Sequence, residues 1–385
     1  MSQWLERRTG FRELLKRHGR GFAVPEESGT RVSLGAILAF LLLVQLATGS
    51  LLLFYFVPDP AGAFESVRGL MRDVPYGWLI RLVHAHGANW MVAILFLHLF
   101  RTAFQGAYKD PRELVWVSGC VLFLGILGAA LTGYILPWSQ LSYWATTVVT
   151  ASLSYVPGVG TDLVQWVRGG EFVGDATYRR ALTAHVALLP LLLLVGVAVH
   201  LALVRRVGLA GRARRRGQEA TSATLPFYPR VALRYATTIV GFSIVLTASV
   251  FFLPDLFFPS DHLVPADPFD TPAHAKPEWY FLWAYQLPRL VPEGIALALE
   301  GVALVVLFAL PFIDSGPDRH PLDRPVISAG IALALAALVT LSVLGYLARS
   351  ARSSGSSRSA SCLRLFSLRP RLSQTTTPGR TKAPA

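Results

Sequence analysis

The chain is poor in charge and nearly devoid of cysteine. Only 15% of its 385 residues are Asp, Glu, Lys or Arg, although Lys and Arg outnumber the acids 36 to 23 for a net charge of +13. A nucleic-acid binder with that excess is ordinarily rich in charge, so the shortage argues against this class. Two cysteines, Cys120 and Cys362, exclude a disulfide framework and any multi-cysteine zinc or iron–sulfur site. No Cys-x-x-Cys-His occurs, so the usual signature for covalent haem attachment is missing. Residues 1–31 are charged and hold no short apolar stretch with a cleavage site, so no signal peptide is expected.

What the chain has instead is apolar length. Hydrophobic residues make up 53% of it, and several runs approach the roughly 20 residues that cross a bilayer. The reading is an all-α polytopic membrane protein of about seven transmembrane helices. Span A covers about 32–57, B 77–100, C 114–136 and D 181–204; E covers 231–253, F 294–313 and G 326–347. The expected organisation is an amphipathic segment at 1–31, with Trp4, Leu5, Phe11, Leu14 and Leu15 among Arg and Lys, then a four-helix domain at 32–204. A basic linker at 205–230 precedes a three-helix domain at 231–348 and a disordered basic tail at 349–385. Long loops at 137–180 and 254–293 are candidate functional surfaces.

Lys and Arg set the orientation. The side holding the N-terminus and the B–C, D–E and F–G loops carries 19 of them, against 8 on the other. The first is therefore the cytoplasmic, negative (n) side of a bacterial inner membrane, and the two long loops face the positive (p) side. Seven spans also send the basic tail to the p side, against the rule, which leaves an eighth span as an open alternative.

Span B contains His84 and His98; span D contains His185 and His200. Ionisable residues inside a bilayer are costly and mark function. Fourteen residues turn about 1400°, some 40° short of four full turns, and fifteen turn about 60° past four, so each pair shares a face about 21 Å apart along the axis. Spans B and D run the same way, which levels His84 with His185 near the p side and His98 with His200 near the n side. Two stacked bis-imidazole sites suit two non-covalent b-type haems without an open coordination position, a wire for electrons. Gly35 and Gly49 in span A, and Gly119 and Gly133 in span C, repeat the 14-residue spacing and leave room for a flat macrocycle. Arg81 and Arg101 sit where haem propionates would emerge. His86 points away from His84 and is read as a non-ligand; His18, His262, His274 and His320 fall in loops.

With Pro277-Glu278-Trp279-Tyr280 and Leu136-Pro137-Trp138, these pairs resemble cytochrome b of the quinol–cytochrome c oxidoreductase (cytochrome bc) complexes, over about residues 30–347. Fourteen residues between His185 and His200, Lys-Asp-Pro-Arg-Glu-Leu at 109–114, Ala-Asp-Pro-Phe at 266–269 and only three spans after D look like the photosynthetic cytochrome bf branch. There the polypeptide is split; here the two parts are fused. The resemblance implies quinol oxidation at the p side, with one electron passing to a Rieske iron–sulfur protein. The other crosses through two b haems to quinone at the n side, coupled to proton translocation in an electron-transport chain. Glu278 would then accept a quinol proton, and Tyr280 and Tyr134 would line the pocket. Arg205 matches an arginine near the n-side quinone or haem, and residues 139–150 would form a surface helix beneath the Rieske head. Implied partners are the Rieske protein, a c-type cytochrome, quinol and quinone, the lipid membrane and a second copy of the chain, with no nucleic acid. Ser33 stands where the photosynthetic branch has a cysteine holding an extra haem, so that covalent haem is expected to be absent; Ser139 replaces a Gly or Asp of relatives. Glu300, within span F, is assigned no role. Two other readings use the histidines alone: a dihaem anchor of a quinone-linked dehydrogenase, and a transporter with a histidine proton relay.

Overall fold

The computed structural model of the chain describes residues 23–25, 33–211, 213–217, 224–257, 264–272 and 276–348. The amphipathic segment expected at 2–20, the tail at 349–385, and His18, His262 and His274 lie outside them.

Strand β1 (Ala23–Pro25) pairs antiparallel with β2 (Thr224–Pro226). The helices are α1 (Leu34–Leu53), α2 (Ala63–Asp73), α3 (Gly77–Phe104), α4 (Glu113–Ile135), α5 (Gln140–Ala151), α6 (Gly160–Arg168), α7 (Asp175–Val207), α8 (Ala232–Phe252), α9 (Leu282–Leu290), α10 (Glu293–Ile313) and α11 (Pro325–Leu347). Seven of these, α1, α3, α4, α7, α8 (with the turn before it), α10 and α11, are long and apolar enough to cross a membrane, and they correspond to spans A–G. Their outer faces keep large apolar side chains exposed, among them Leu191, Val305 and Leu333. That is the arrangement lipid requires, since acyl chains solvate such groups and every backbone polar group is already paired inside the helix.

Helix α7 starts earlier than span D because Asp175 opens it outside the apolar run. It opens into one wide π turn over Ala184–Leu188. Pro190 sits just beyond: it cannot donate to the carbonyl four residues back and its ring crowds that carbonyl, which a wider turn relieves. His185 lies in this turn.

The first four spans and the last three pack directly on each other. Ile37, Leu41, Met91 and Leu193 share one apolar cluster with Phe242, Leu246 and Val250 of α8. The His86 imidazole is fully buried between Ser249 Oγ (3.2 Å) and the Pro254 carbonyl (3.1 Å). Both its nitrogens are engaged, so it acts as a strut between α3 and the end of α8. In the loop after α10, Asp314 accepts from Tyr108 Oη (2.5 Å), Lys109 Nζ (2.6 Å) and Arg324 Nη1 (3.0 Å), all buried. Arg324 Nη2 also donates to the carbonyls of Ala103 and Phe104 in the last turn of α3.

Candidate functional site

Each histidine of the two pairs faces a glycine on a neighbouring helix. A Cβ on Gly49 would lie 3.2 Å from His84 Cε1, one on Gly35 3.8 Å from His98 Cε1, and one on Gly119 3.4 Å from His200 Cε1. A Cβ on Gly133 would press on Cε1, Nδ1 and Nε2 of His185 together. The glycines predicted by spacing are therefore the ones that meet the histidines.

The His84 and His185 ring centres are 6.3 Å apart, with planes at 79°. A metal held between two imidazole nitrogens at about 2 Å each spaces the ring centres by about 6 Å, so this pair fits an iron between them. The hydrogen bonds fix the tautomers. Thr48 Oγ1 gives its proton to the Val44 carbonyl (2.7 Å), so at 2.9 Å it accepts from His84 Nδ1–H. Ser118 Oγ donates to the Val115 carbonyl (2.9 Å) and accepts from His200 Nδ1–H at 2.9 Å. His185 Nδ1 lies 2.9 Å from the Ala129 carbonyl, which only accepts. In all three Nε2 keeps its lone pair for a metal, with Nδ1–H anchored behind it. Among the described residues no group of three or more His, Cys, Asp or Glu converges as a metal cage. Two protein ligands per metal is what a haem iron, already held by four ring nitrogens, requires.

Next to this pair lies a part-open hollow. Leu131 and Tyr134 of α4, Ala145 and Val149 of α5, and Pro277, Glu278 and Phe281 line it. Tyr134 follows Gly133, the residue against His185, so the hollow adjoins the His84–His185 pair through one peptide unit. The loops at 137–180 and 254–293 are sewn together around it. Trp138 takes a left-handed backbone (φ 50°), rare for a bulky residue and typical of functional turns. Its carbonyl accepts from Ala266 N (3.0 Å), and Gln140 N donates to the Val264 carbonyl (2.8 Å). Ser139 caps α5 reciprocally with Ser142. Trp279 Nε1 donates to Asn89 Oδ1 (2.8 Å), which ties the tetrapeptide to α3 five residues past His84.

A family profile described as "Cytochrome b/b6/petB" matches residues 21–208, and "Cytochrome b(C-terminal)/b6/petD" matches 265–364. Cytochrome b of Rickettsia prowazekii is 35% identical over 361 residues, 94% of this chain and 90% of that one. The chain belongs to the cytochrome b family. Cytochrome b of Acanthamoeba castellanii is 39% identical over 280 residues, 72% of each chain. A chain of a solved structure titled "Hyperthermophilic respiratory Complex III" superposes with a TM-score of 0.83 at 32% identity, covering 90% of this chain and 92% of that one. Membership makes this a multi-pass membrane protein of respiratory electron transport that binds b-type haem.

The remaining candidates fall around this cytochrome b frame. Arg81 lies one turn from His84 with its guanidinium against Met71 Sδ. Arg101 is half-buried near the end of α3, and Arg205 is exposed in the last turn of α7. Tyr280 is buried with its ring against Trp279 and Phe281, and burial raises its hydroxyl pKa well above the ordinary range, with the Glu278 charge adding to it. The lining residue in its place is Phe281. Ser33 accepts from Ala36 N (3.3 Å) as the N-cap of α1. His320 caps its own short turn through Leu322 N, and Glu300 is half-buried on the face of α10 that carries Ala296.

Proposed function

We propose that this chain is the cytochrome b of a quinol:cytochrome c oxidoreductase. It oxidises quinol in the p-side hollow and delivers one electron across the membrane to quinone at the n side, coupled to proton translocation. Two b-type haems, each a one-electron carrier when bound, complete the path. His84 and His185 hold the p-side iron, and His98 and His200 the n-side iron. Gly35, Gly49, Gly119 and Gly133 keep the helix faces flat against the rings. Arg81 and Arg101 pair with propionates, and Ser33 leaves no thiol for a further covalent haem. The histidine-bearing half is 32–204, and the half at 231–348 supplies the tetrapeptide.

The observation that carries this reading is the contiguity of hollow and wire: Tyr134 and Glu278 line a cavity whose wall continues into Gly133 and His185. Glu278 accepts a proton from a quinol hydroxyl, half-buried where it meets both hollow and loop surface. Tyr134 donates to the quinol oxygen, and Tyr280, the last residue of the tetrapeptide, packs between Trp279 and Phe281. Arg205 attracts or orients the n-side quinone or a haem carboxylate. Partners follow from the same reading: a Rieske protein over the p-side loops, a c-type cytochrome, a second copy of this chain and the lipid of a bacterial inner membrane, with the N-terminus cytoplasmic.

Glu278→Gln tests it. Quinol-to-cytochrome c turnover should fall about tenfold or more while the b-haem spectrum stays intact. A dihaem anchor of a dehydrogenase needs no such carboxylate, so undiminished turnover would overturn the assignment.

A further inference from the structure

Helix α5 forms one wall of the hollow through Ala145 and Val149, one turn apart. Arg168, at the end of α6, holds that helix from behind. It is a buried cation, 8% exposed. Nε donates to Thr150 Oγ1 (2.8 Å), Nη2 to the Thr147 carbonyl (2.9 Å) and Nη1 to the Glu171 carbonyl (2.8 Å). Thr150 lies about 140° round the helix from Ala145, away from the hollow. All three acceptors are neutral, and among the described residues no carboxylate pairs with Arg168. A buried charge without a counter-charge is expensive to keep, so its place demands a return. The next residue, Gly169, turns the chain with φ 79°, and a Cβ there would lie 2.6 Å from that of Ala176. Thr177 Oγ1 then donates to the Arg168 carbonyl (2.7 Å), locking α6 to the start of α7.

We propose that Arg168 is a positioning residue for quinol oxidation. It fixes α5 at the distance from Tyr134 and Glu278 that admits the quinol ring. A planar guanidinium reaches a side-chain oxygen and two carbonyls at once, which a lysine ammonium on its flexible stem cannot reproduce. The proposal rests on the reading of the hollow as the quinol site.

The test uses the assembled complex carrying Arg168→Lys, Thr150→Val or Ala145→Leu, assayed for quinol KM, kcat and reduced b-haem absorbance. Arg168→Lys should raise quinol KM about tenfold with kcat changed far less and haem absorbance unchanged, the pattern of lost uniform binding. Thr150→Val removes one acceptor at constant volume and should raise KM about threefold. Wild-type KM in an assembled Arg168→Lys complex overturns the proposal; if that variant does not assemble, wild-type KM in Thr150→Val overturns it. Ala145→Leu fills the hollow directly. Loss of quinol turnover in it beside silent Arg168 and Thr150 variants sinks the positioning role alone. Wild-type KM in Ala145→Leu sinks the quinol reading of the hollow, and the positioning role with it.

Discussion

At the scale of single residues, what distinguishes the four rungs is how much space each glycine leaves. On Gly133 an added methyl presses on three ring atoms of His185, whereas on Gly35 it meets only His98 Cε1 at 3.8 Å, an ordinary contact. If each histidine pair holds one haem, as proposed, Gly133→Ala should displace His185 and lose the chromophore of the His84–His185 pair, about half of the b-haem, while Gly35→Ala keeps both. A haem-to-protein ratio with a redox titration reads this directly: two steps collapse to one in the first variant only. Two full steps in Gly133→Ala would mean that the ring at this rung is not held as described. The histidine–glycine register was legible in the sequence because it depends only on helical pitch. The partners that set the tautomers were not, although a signal existed. Thr48-Gly49 and Ser118-Gly119 each place a hydroxyl residue directly before a rung glycine, and both hydroxyls meet the imidazole of their rung. His185 departs from this pattern: Thr132 precedes Gly133, yet the Ala129 carbonyl takes its Nδ1–H. No side-chain rule predicts a backbone partner.

At the scale of elements, the loops after α3 and α10 are joined by a buried charge cluster that composition conceals. Lys109 and Arg324 each counted in sequence as one orientation-setting cation, yet both are buried on Asp314. Lys109 meets Asp314 across 205 residues, which leaves no local pattern to read. Burial pushes the Asp314 carboxyl up, but the bonds from Lys109 and Tyr108 and the charges of Lys109 and Arg324 outweigh it, and the net direction is below the ordinary value. Its folded pKa lies under its unfolded one, so its contribution is present at neutral pH and is lost as pH falls below about 4. Asp314→Asn should strand two buried cations and cost about 3–5 kcal/mol of stability. A thermal midpoint of the solubilised protein at pH 7 measures it, and the deficit against the parent should shrink toward pH 3. Disrupting the exposed Arg68–Glu65 pair (3.3 Å) serves as the control and should leave the midpoint unchanged. A midpoint equally unmoved in Asp314→Asn would show that the cluster holds nothing together. The elements around the hollow divide in the same way. The helix expected at 139–150 is there as α5, capped by Ser139, but it is not a surface helix: every residue from Gln140 to Thr147 is buried. The lining residue Phe281 and the Asn89–Trp279 tether were out of reach, since each depends on which face a short turn presents.

For the whole molecule, seven crossings are an odd number, so Leu347 emerges on the side opposite Ser33. On the proposed orientation, which the 19-to-8 balance of Lys and Arg supports, the Ser33 side is cytoplasmic. Residues 349–385 hold eight Lys and Arg and no acid. Placed on the p side, they narrow the balance to 19 against 16, so the orientation then rests on the loops synthesised first rather than on the total. On that placement the charges around the first spans would set the orientation, as the first helix usually does. The two cysteines turn this into a measurement. Cys120 is fully buried in α4, while Cys362 lies within the basic segment. In a Cys120→Ala chain, a membrane-impermeant maleimide applied to the p face of intact cells stripped of any outer barrier should label Cys362. A cytoplasmic tail would be labelled only after lysis. That result would demand an eighth crossing after Leu347, or one fewer before it, and would restore the tail to the side where its charge belongs.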